Sequence, residues 1–271
     1  GYTGNDSFEV PDVQFKKFRD LIYKESGMHF SDINRPILES RLKARLKKAE
    51  LDSIEEYYRI ISTDDKELKV LLDAVTTNLT SFFRNKIHFQ GFETGVLDAI
   101  RKTRKDKRIR VWSAGCSTGE EPYSLAMVLK DKLPDWRIEI IASDISFNVL
   151  MKAREGFYPA SKIAGIPPNY LQRFTNQVKD GYVMKDEIKK MITFDYHNLK
   201  NVPVYKNFDV VFCRNVIIYF DAAAQEHVVN TIYNVMNPDS YFFIGHSESL
   251  FGMNTKFEFM KFGETCLYKK K

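Results

Sequence analysis

The stretch Val111-Trp112-Ser113-Ala114-Gly115-Cys116-Ser117-Thr118-Gly119-Glu120-Glu121-Pro122-Tyr123-Ser124 decides the fold of this 271-residue chain. It closes a run of strand formers from Ile109 to Trp112, turns on small residues, and enters the apolar run Leu125, Met127, Val128, Leu129. That is a strand, a tight loop and a helix start. Gly115 and Gly119 let the backbone approach a ligand closely. Glu120 and Glu121 stand where a phosphate-binding loop would place its lysine, and two carboxylates there would repel a triphosphate. The ligand is therefore expected to carry positive charge near the glutamates. The spacing is G-x-x-x-G, so both the dinucleotide fingerprint and the Walker sequence are absent.

Beyond this stretch, strands alternate with helices. Strands are predicted at Ile109–Ser113, Ile138–Ser143, Met191–Tyr196, Phe208–Cys213, Tyr241–Gly245 and Thr265–Tyr268, and helices at Glu120–Leu133, Ser146–Ala153 and Ala222–Met236. The pattern is α/β, a doubly wound, mostly parallel sheet over residues 93–271. Ligands of such sheets bind beyond the carboxyl ends of the strands, where strand order reverses. The rhythm breaks after Gly156. Val178-Lys179-Asp180-Gly181-Tyr182-Val183-Met184 reads as a hairpin turning at Asp180-Gly181, within an inserted antiparallel β subdomain at about 173–194.

Before the sheet the signal is purely helical, and residues 8–76 are expected to form a small N-terminal domain. Phe15, Phe18, Leu21 and Ile22 recur at helical spacing, Pro36 suits a first helical turn ahead of Leu38, Leu42 and Leu46, and Ser53 with Glu56 makes a capping box. Asp64 or Asp65 can start a fourth helix carrying Leu68, Leu71 and Leu72. Residues 77–92 are expected to be a linker or a lid, with Arg84 aimed inward.

Composition fits this picture. An apolar fraction of 44% supports a real core, and a net charge of +5 leaves nucleic acid and acidic protein faces both open as partners. Three widely spaced cysteines, Cys116, Cys213 and Cys266, suggest reduced, buried thiols in a cytosolic protein rather than a disulfide frame or a metal site. No apolar run approaches the ~18 residues of a membrane span.

Alone, Glu120 and Glu121 read as a helix first turn stabilised by the macrodipole. The second strand adds weight, because it ends Ile141-Ala142-Ser143-Asp144, and an acid there is the usual partner of ribose hydroxyls. Polar groups follow two further strands, His197-Asn198-Leu199 and Cys213-Arg214-Asn215-Val216-Ile217-Ile218-Tyr219-Phe220. Four polar strand ends converging on one crevice point to a nucleoside, and the sulfonium and ammonium of S-adenosylmethionine meet the demand for positive charge.

On these motifs the chain resembles the CheR family, chemotaxis receptor methyltransferases that esterify glutamate side chains using S-adenosylmethionine. The matching segments are Asn78–Arg84, Trp112–Ser124, Ala142–Asp144, His197–Leu199, Cys213–Phe220 and Gly245-His246-Ser247-Glu248. The resemblance implies a class I methyltransferase-like fold, S-adenosylmethionine as cofactor, S-adenosylhomocysteine as product, and no metal. It implies that Asn78, Thr80, Arg84, Gly115, Glu121, Asp144, Asn198, Leu199, Arg214 and Asn215 bind the cofactor, although Glu120 and Glu121 compete for one place. Arg84 and Tyr219 would serve the methyl transfer itself. It also implies cytoplasmic receptor domains as partners, docking their acidic helical methylation region on Arg41, Arg45 and Lys48.

The basic helix bears no aromatic interleaving or nucleic-acid motif, so nucleic acid is not expected, nor is membrane insertion. Other readings are a methyltransferase for a different protein or small molecule, or a non-catalytic receptor-binding module. The amide-directed signature Asn-Pro-Pro-Tyr is missing; Pro167-Pro168-Asn169-Tyr170 has the wrong order. In the inserted hairpin, the short turn and Lys179, Lys185, Lys189 and Lys190 beside the edge favour recognition that does not need a receptor tail.

Overall fold

The computed structural model describes residues 9–32, 34–76 and 80–271. It divides into two compact units, one built from the N-terminal helices with Ile218–Gln225 and the other from the rest of the described chain.

The first unit holds α1 (Asp12–Ser26), α2 (Arg35–Lys48), α3 (Ile54–Thr63) and α4 (Asp65–Thr76). The predicted stripes form its core: Phe15, Phe18, Ile22, Leu38, Leu42 and Leu46 are all buried, with Tyr57 among them. Ser53 caps α3 by accepting from Glu56 N at 3.2 Å, and Asp64 caps α4 by accepting from Lys66 N at 2.9 Å. Arg35 ties α2 to α1, donating to Glu39 on its own helix and to Asp12.

The second unit opens with one continuous helical run, α5 (Lys86–Gly91), a π-helical turn (Phe92–Val96) and α6 (Leu97–Thr103). Phe89, Phe92, Val96, Leu97 and Ile100 bury its inner face in the main core. Residues 86–92, expected as linker, are thus part of the helical cover of the sheet. Their core pattern is interrupted by Gly91.

The chain continues through β1 (Arg108–Ala114), α7 (Glu120–Lys132), β2 (Arg137–Asp144), α8 (Phe147–Glu155), β3 (Phe157–Pro159), α9 (Pro168–Phe174), β4 (Thr175–Val178), β5 (Gly181–Met184), α10 (Asp186–Lys189), β6 (Ile192–Tyr196), β7 (Phe208–Cys213), α11 (Ala222–Asn234), β8 (Met236–Ile244), β9 (Glu258–Phe262) and β10 (Thr265–Lys270). The main sheet runs β6-β2-β1-β7-β8-β10-β9. Pairings among β6, β2, β1, β7 and β8 are parallel, whereas β10 is antiparallel to both its neighbours. Strand order reverses between β1 and β7, so the crevice for a ligand lies beyond their carboxyl ends.

A second sheet, β3-β5-β4, is antiparallel. It departs from the expected insertion at both bounds. It recruits Phe157–Pro159 from before the expected start, and it ends before Ile192–Tyr196, which pairs in parallel with β2 as the main-sheet strand expected at Met191–Tyr196. The edge strand β9 carries no predicted signal, since its burial alternates too weakly to mark one inner face.

Candidate functional site

The loop between β1 and α7 is shaped by its glycines. Gly115 and Gly119 have φ of 77° and 101°, in the left-handed region. A Cβ on Gly119 would lie 2.7 Å from the Tyr158 hydroxyl. That hydroxyl donates to Thr118 O at 2.6 Å, so the small sheet buttresses the loop through β3. Sequence reasoning missed Tyr158 because a lone tyrosine outside the motifs has no visible partner.

The two adjacent glutamates separate cleanly. Glu120 is buried and accepts from Thr118 Oγ1 at 2.6 and 2.8 Å, and burial raises its pKa against that hydrogen bond. Glu121 instead accepts from Ser113 Oγ at 2.7 Å and from Arg214 Nε at 2.9 Å, joining the ends of β1 and β7. A carboxylate offers about four lone-pair sites, so Glu121 keeps acceptor capacity on both oxygens beyond these two bonds.

Arg214, expected to bind the cofactor, lies deep in the wall behind Glu121. Its side chain is 3% exposed. Nη1 donates to Arg84 O at 2.8 Å and to His88 Nδ1 at 3.0 Å, and the guanidinium lies over the rings of Phe89 and Phe212. Because Arg214 is an obligate donor, His88 must accept at Nδ1 and carry its proton on Nε2. Burial, with help from Arg214 and His246, lowers the His88 pKa to about 4. His88 was not predicted at all.

Asp144 ends β2 with its carboxylate held by backbone: Oδ2 accepts from Ser117 N at 2.9 Å and Oδ1 from Ser146 N at 3.0 Å. Ser146, rather than Asp144, caps α8 by accepting from Val149 N. His197 N donates to Asp144 O, joining the ends of β6 and β2. Asn198 is 8% exposed and its Oδ1 accepts from Lys200 N at 3.1 Å, while Leu199 is half-buried.

Of the segment expected to be a lid, Asn78 lies outside the described residues and Thr80 is half-buried. The following aromatics fasten it to the sheet unit. Phe82 packs edge-on to Tyr158, Phe83 contacts Phe89 and Tyr170, and Phe83 N donates to Ser124 Oγ. Arg84 is half-buried. Asn215 takes φ of 61°, and the side chain of Val216 fills the space beside Gly115.

The remaining predicted residues belong to the helical unit. Tyr219 is 6% exposed, its ring lies against Phe30, and its carbonyl accepts from His29 N. The expected basic face of Arg41, Arg45 and Lys48 is divided by the packing. Arg45 turns to Glu67 of α4, donating at 2.8 and 3.2 Å, and Tyr57 donates to the same carboxylate oxygen. Arg41 is half-buried, whereas Lys48 is exposed together with Lys43 and Lys47. Among the cysteines, Cys116 and Cys213 are buried as expected, but Cys266 is exposed.

The donor set fits a sulfonium cofactor. Two carboxylates flank the β1 and β2 ends, and Arg214 beside Glu121 has its charge matched by that glutamate. No cluster of metal-ligating side chains occurs among the described residues, and no helix among them is long and apolar enough to cross a membrane.

Comparison with known proteins agrees. A family model for the CheR methyltransferase S-adenosylmethionine-binding domain matches residues 78–266, and one for the CheR all-alpha domain matches residues 14–76. A chemotaxis protein methyltransferase of Borreliella burgdorferi is 35% identical, covering 98% of this chain and 97% of the relative. Chemotaxis protein methyltransferase 2 of Vibrio cholerae is 34% identical over 96% of this chain and 94% of its own. The Salmonella typhimurium protein is 36% identical, with 92% and 88% covered. The chain belongs to the CheR methyltransferase family and is an S-adenosylmethionine-dependent methyltransferase of chemotaxis.

Proposed function

We propose that the chain transfers a methyl group to glutamate side-chain carboxylates in the acidic helical methylation region of cytoplasmic receptor domains, forming methyl esters. The observation that carries the site assignment is the meeting of Ser113, Glu121 and Arg214 where strand order reverses, with Asp144 on the next strand end.

When bound, S-adenosylmethionine supplies an electrophilic methyl on a sulfonium. The residues then divide the work. Glu121, fixed by Ser113 and Arg214, takes the ammonium on its remaining lone pairs. Asp144, oriented by two backbone N–H groups, takes the ribose hydroxyls. Asn198 and Leu199 frame the adenine, and Gly115, Thr80 and Asn215 complete the lining. Arg214 supports this wall from behind.

The acceptor glutamate is ionised near neutral pH and needs no general base. What remains is alignment of oxygen, carbon and sulfur. We assign that to Arg84 and the Tyr219 hydroxyl. Charge is neutralised on the way to the transition state, so a cation gripping the attacking oxygen too firmly would favour the ground state. A half-buried arginine and a neutral hydroxyl suit that demand.

The decisive experiment transfers label from methyl-labelled S-adenosylmethionine to receptor fragments and then raises the pH. Label released as methanol supports a glutamyl ester; label that survives base is an N-methyl product and sinks the reading. Arg84→Ala should lower methyl transfer far more than cofactor affinity, and equal losses would make Arg84 a cofactor ligand instead.

A further inference from the structure

The Gly245-His246-Ser247-Glu248 segment has no assigned part in cofactor or acceptor binding, yet its glutamate is bound into the crevice wall. Glu248 Oε1 accepts from Asn215 N at 2.6 Å and from Gly245 N at 2.7 Å. Glu248 N donates back to Gly245 O at 3.0 Å, closing the turn that follows β8. One carboxylate oxygen thus joins the carboxyl ends of β7 and β8, which pair in parallel with Cys213 opposite Ile244.

This bond acts at a left-handed residue. Asn215 holds φ of 61°, a conformation that asparagine enters more readily than most residues but that still costs some energy, which fixed partners offset. The turn sends its neighbours in two useful directions. Arg214, before it, reaches back to Glu121 and Arg84 O, while Val216, after it, packs beside Gly115. The fit leaves no slack, because a Cβ on Gly245 would stand 2.5 Å from Asn215 Oδ1 and 2.6 Å from Glu248 Oε1.

We infer that Glu248 is a positioning residue for methyl transfer: by accepting both N–H groups it holds Asn215 left-handed, and so sets the place of Arg214 and Val216 against the cofactor loop. The inference rests on the crevice being the S-adenosylmethionine site. On this inference Glu248 acts through the backbone it holds. Its part is geometric, so an acceptor oxygen at the same place should serve even without the charge.

The test measures S-adenosylhomocysteine affinity by calorimetry for the wild type and five variants. Failure of the wild type to bind would remove the underlying reading; the proposal itself is judged on the variants. Glu248→Ala should weaken binding by at least about ten-fold, while Glu248→Gln, whose amide oxygen can take both N–H bonds, should stay within about three-fold. Asn215→Gly supplies the second control, since glycine adopts positive φ freely. Starting from Asn215→Gly, adding Glu248→Ala should cost under about three-fold, because the turn then needs less holding. A merely structural role would lower melting temperature equally in both backgrounds without this coupling. Should Glu248→Ala not fold, Glu248→Asp withdraws the oxygen by about 1.5 Å and should show the same loss. Wild-type affinity in folded Glu248→Ala or Glu248→Asp overturns the proposal, as does a Gln variant as weak as the Ala variant, or an undiminished loss in the Asn215→Gly background.

Discussion

Arg214 Nε donates to Glu121 Oε2 at 2.9 Å with both side chains largely buried, and this pair fastens the end of β7 to the first turn of α7. The same guanidinium holds the carbonyl of Arg84 and the ring of His88. One side chain therefore sets the glutamate assigned to the ammonium and the backbone of the arginine assigned to the acceptor.

Replacing Arg214 should accordingly damage both steps. Removing one member of a buried ion pair costs about 3–5 kcal/mol, because the other charge stays behind unpaired. Arg214→Lys is no rescue, since an ammonium lacks the planar fork that meets a carboxylate, a carbonyl and an imidazole together. Both Arg214→Ala and Arg214→Lys should lower the melting temperature and weaken S-adenosylhomocysteine binding by calorimetry. Full affinity in Arg214→Lys would show that the fork is dispensable.

His88 gives the site a pH dependence with a definite sign. Its folded pKa is lowered to about 4, whereas an unfolded histidine titrates near 6.5. Between those values the unfolded chain binds more protons, so stability rises with pH across the window. The contribution is complete above about pH 6.5 and is lost as pH falls toward 4, amounting to up to about 3 kcal/mol. His88→Asn places an amide oxygen near the position of Nδ1 and cannot titrate. Denaturant melts between pH 4 and 7 should show a shallower pH slope for His88→Asn than for wild type. Parallel slopes would mean that His88 takes up its proton alike in the folded and the unfolded chain.

Much of this was legible in the sequence, and the gaps have physical causes. The strand-loop-helix at Val111–Ser124 and the acid at Asp144 were readable because strand ends and glycines leave fixed spacings. The choice between Glu120 and Glu121 was not, since it depends on Thr118 and Arg214, one beside them and the other on a distant strand end. His88 and Glu248 escaped for the same reason: their partners lie 126 and 33 residues away in the chain. The main-sheet strand β9 and the helix over 86–92 were missed because weak alternation hides the inner face of the first and Gly91 interrupts that of the second. The basic face of α2 was legible only in part. Helical spacing places Arg45 on the surface, but only the neighbouring helix shows that Glu67 claims its charge.

That correction separates two roles within α2. Arg45→Ala should destabilise the helical unit by about 1.5–3 kcal/mol, the usual worth of hydrogen bonds to charged groups. Lys48 is exposed, so Lys48→Glu should leave the melting temperature unchanged while weakening receptor methylation. The Lys48 effect should fade as salt rises, because exposed charges are screened within about 8–10 Å. Methylation assays at low and high salt, beside thermal melts, check this. A Lys48→Glu defect that ignores salt would remove α2 from receptor docking.

The small sheet should not dock a receptor tail tightly. Strand addition draws affinity from main-chain hydrogen bonds along an exposed edge, so it needs edge length. Its β4 edge spans only Thr175–Val178, and Val178 pairs directly with Gly181 across the turn at Asp180, leaving no loop to prolong the edge. The opposite edge, β3, ends at Pro159, which cannot donate to an added strand. Tyr158 on β3 is already committed to Thr118 O, so the sheet has a structural task in supporting the cofactor loop. A peptide matching a receptor C-terminus, titrated against the full chain, should therefore show no micromolar binding, and receptor fragments with and without their tails should be methylated alike. Micromolar affinity that disappears when the Lys179-Asp180 turn is replaced would reverse this conclusion and make β4 a docking edge.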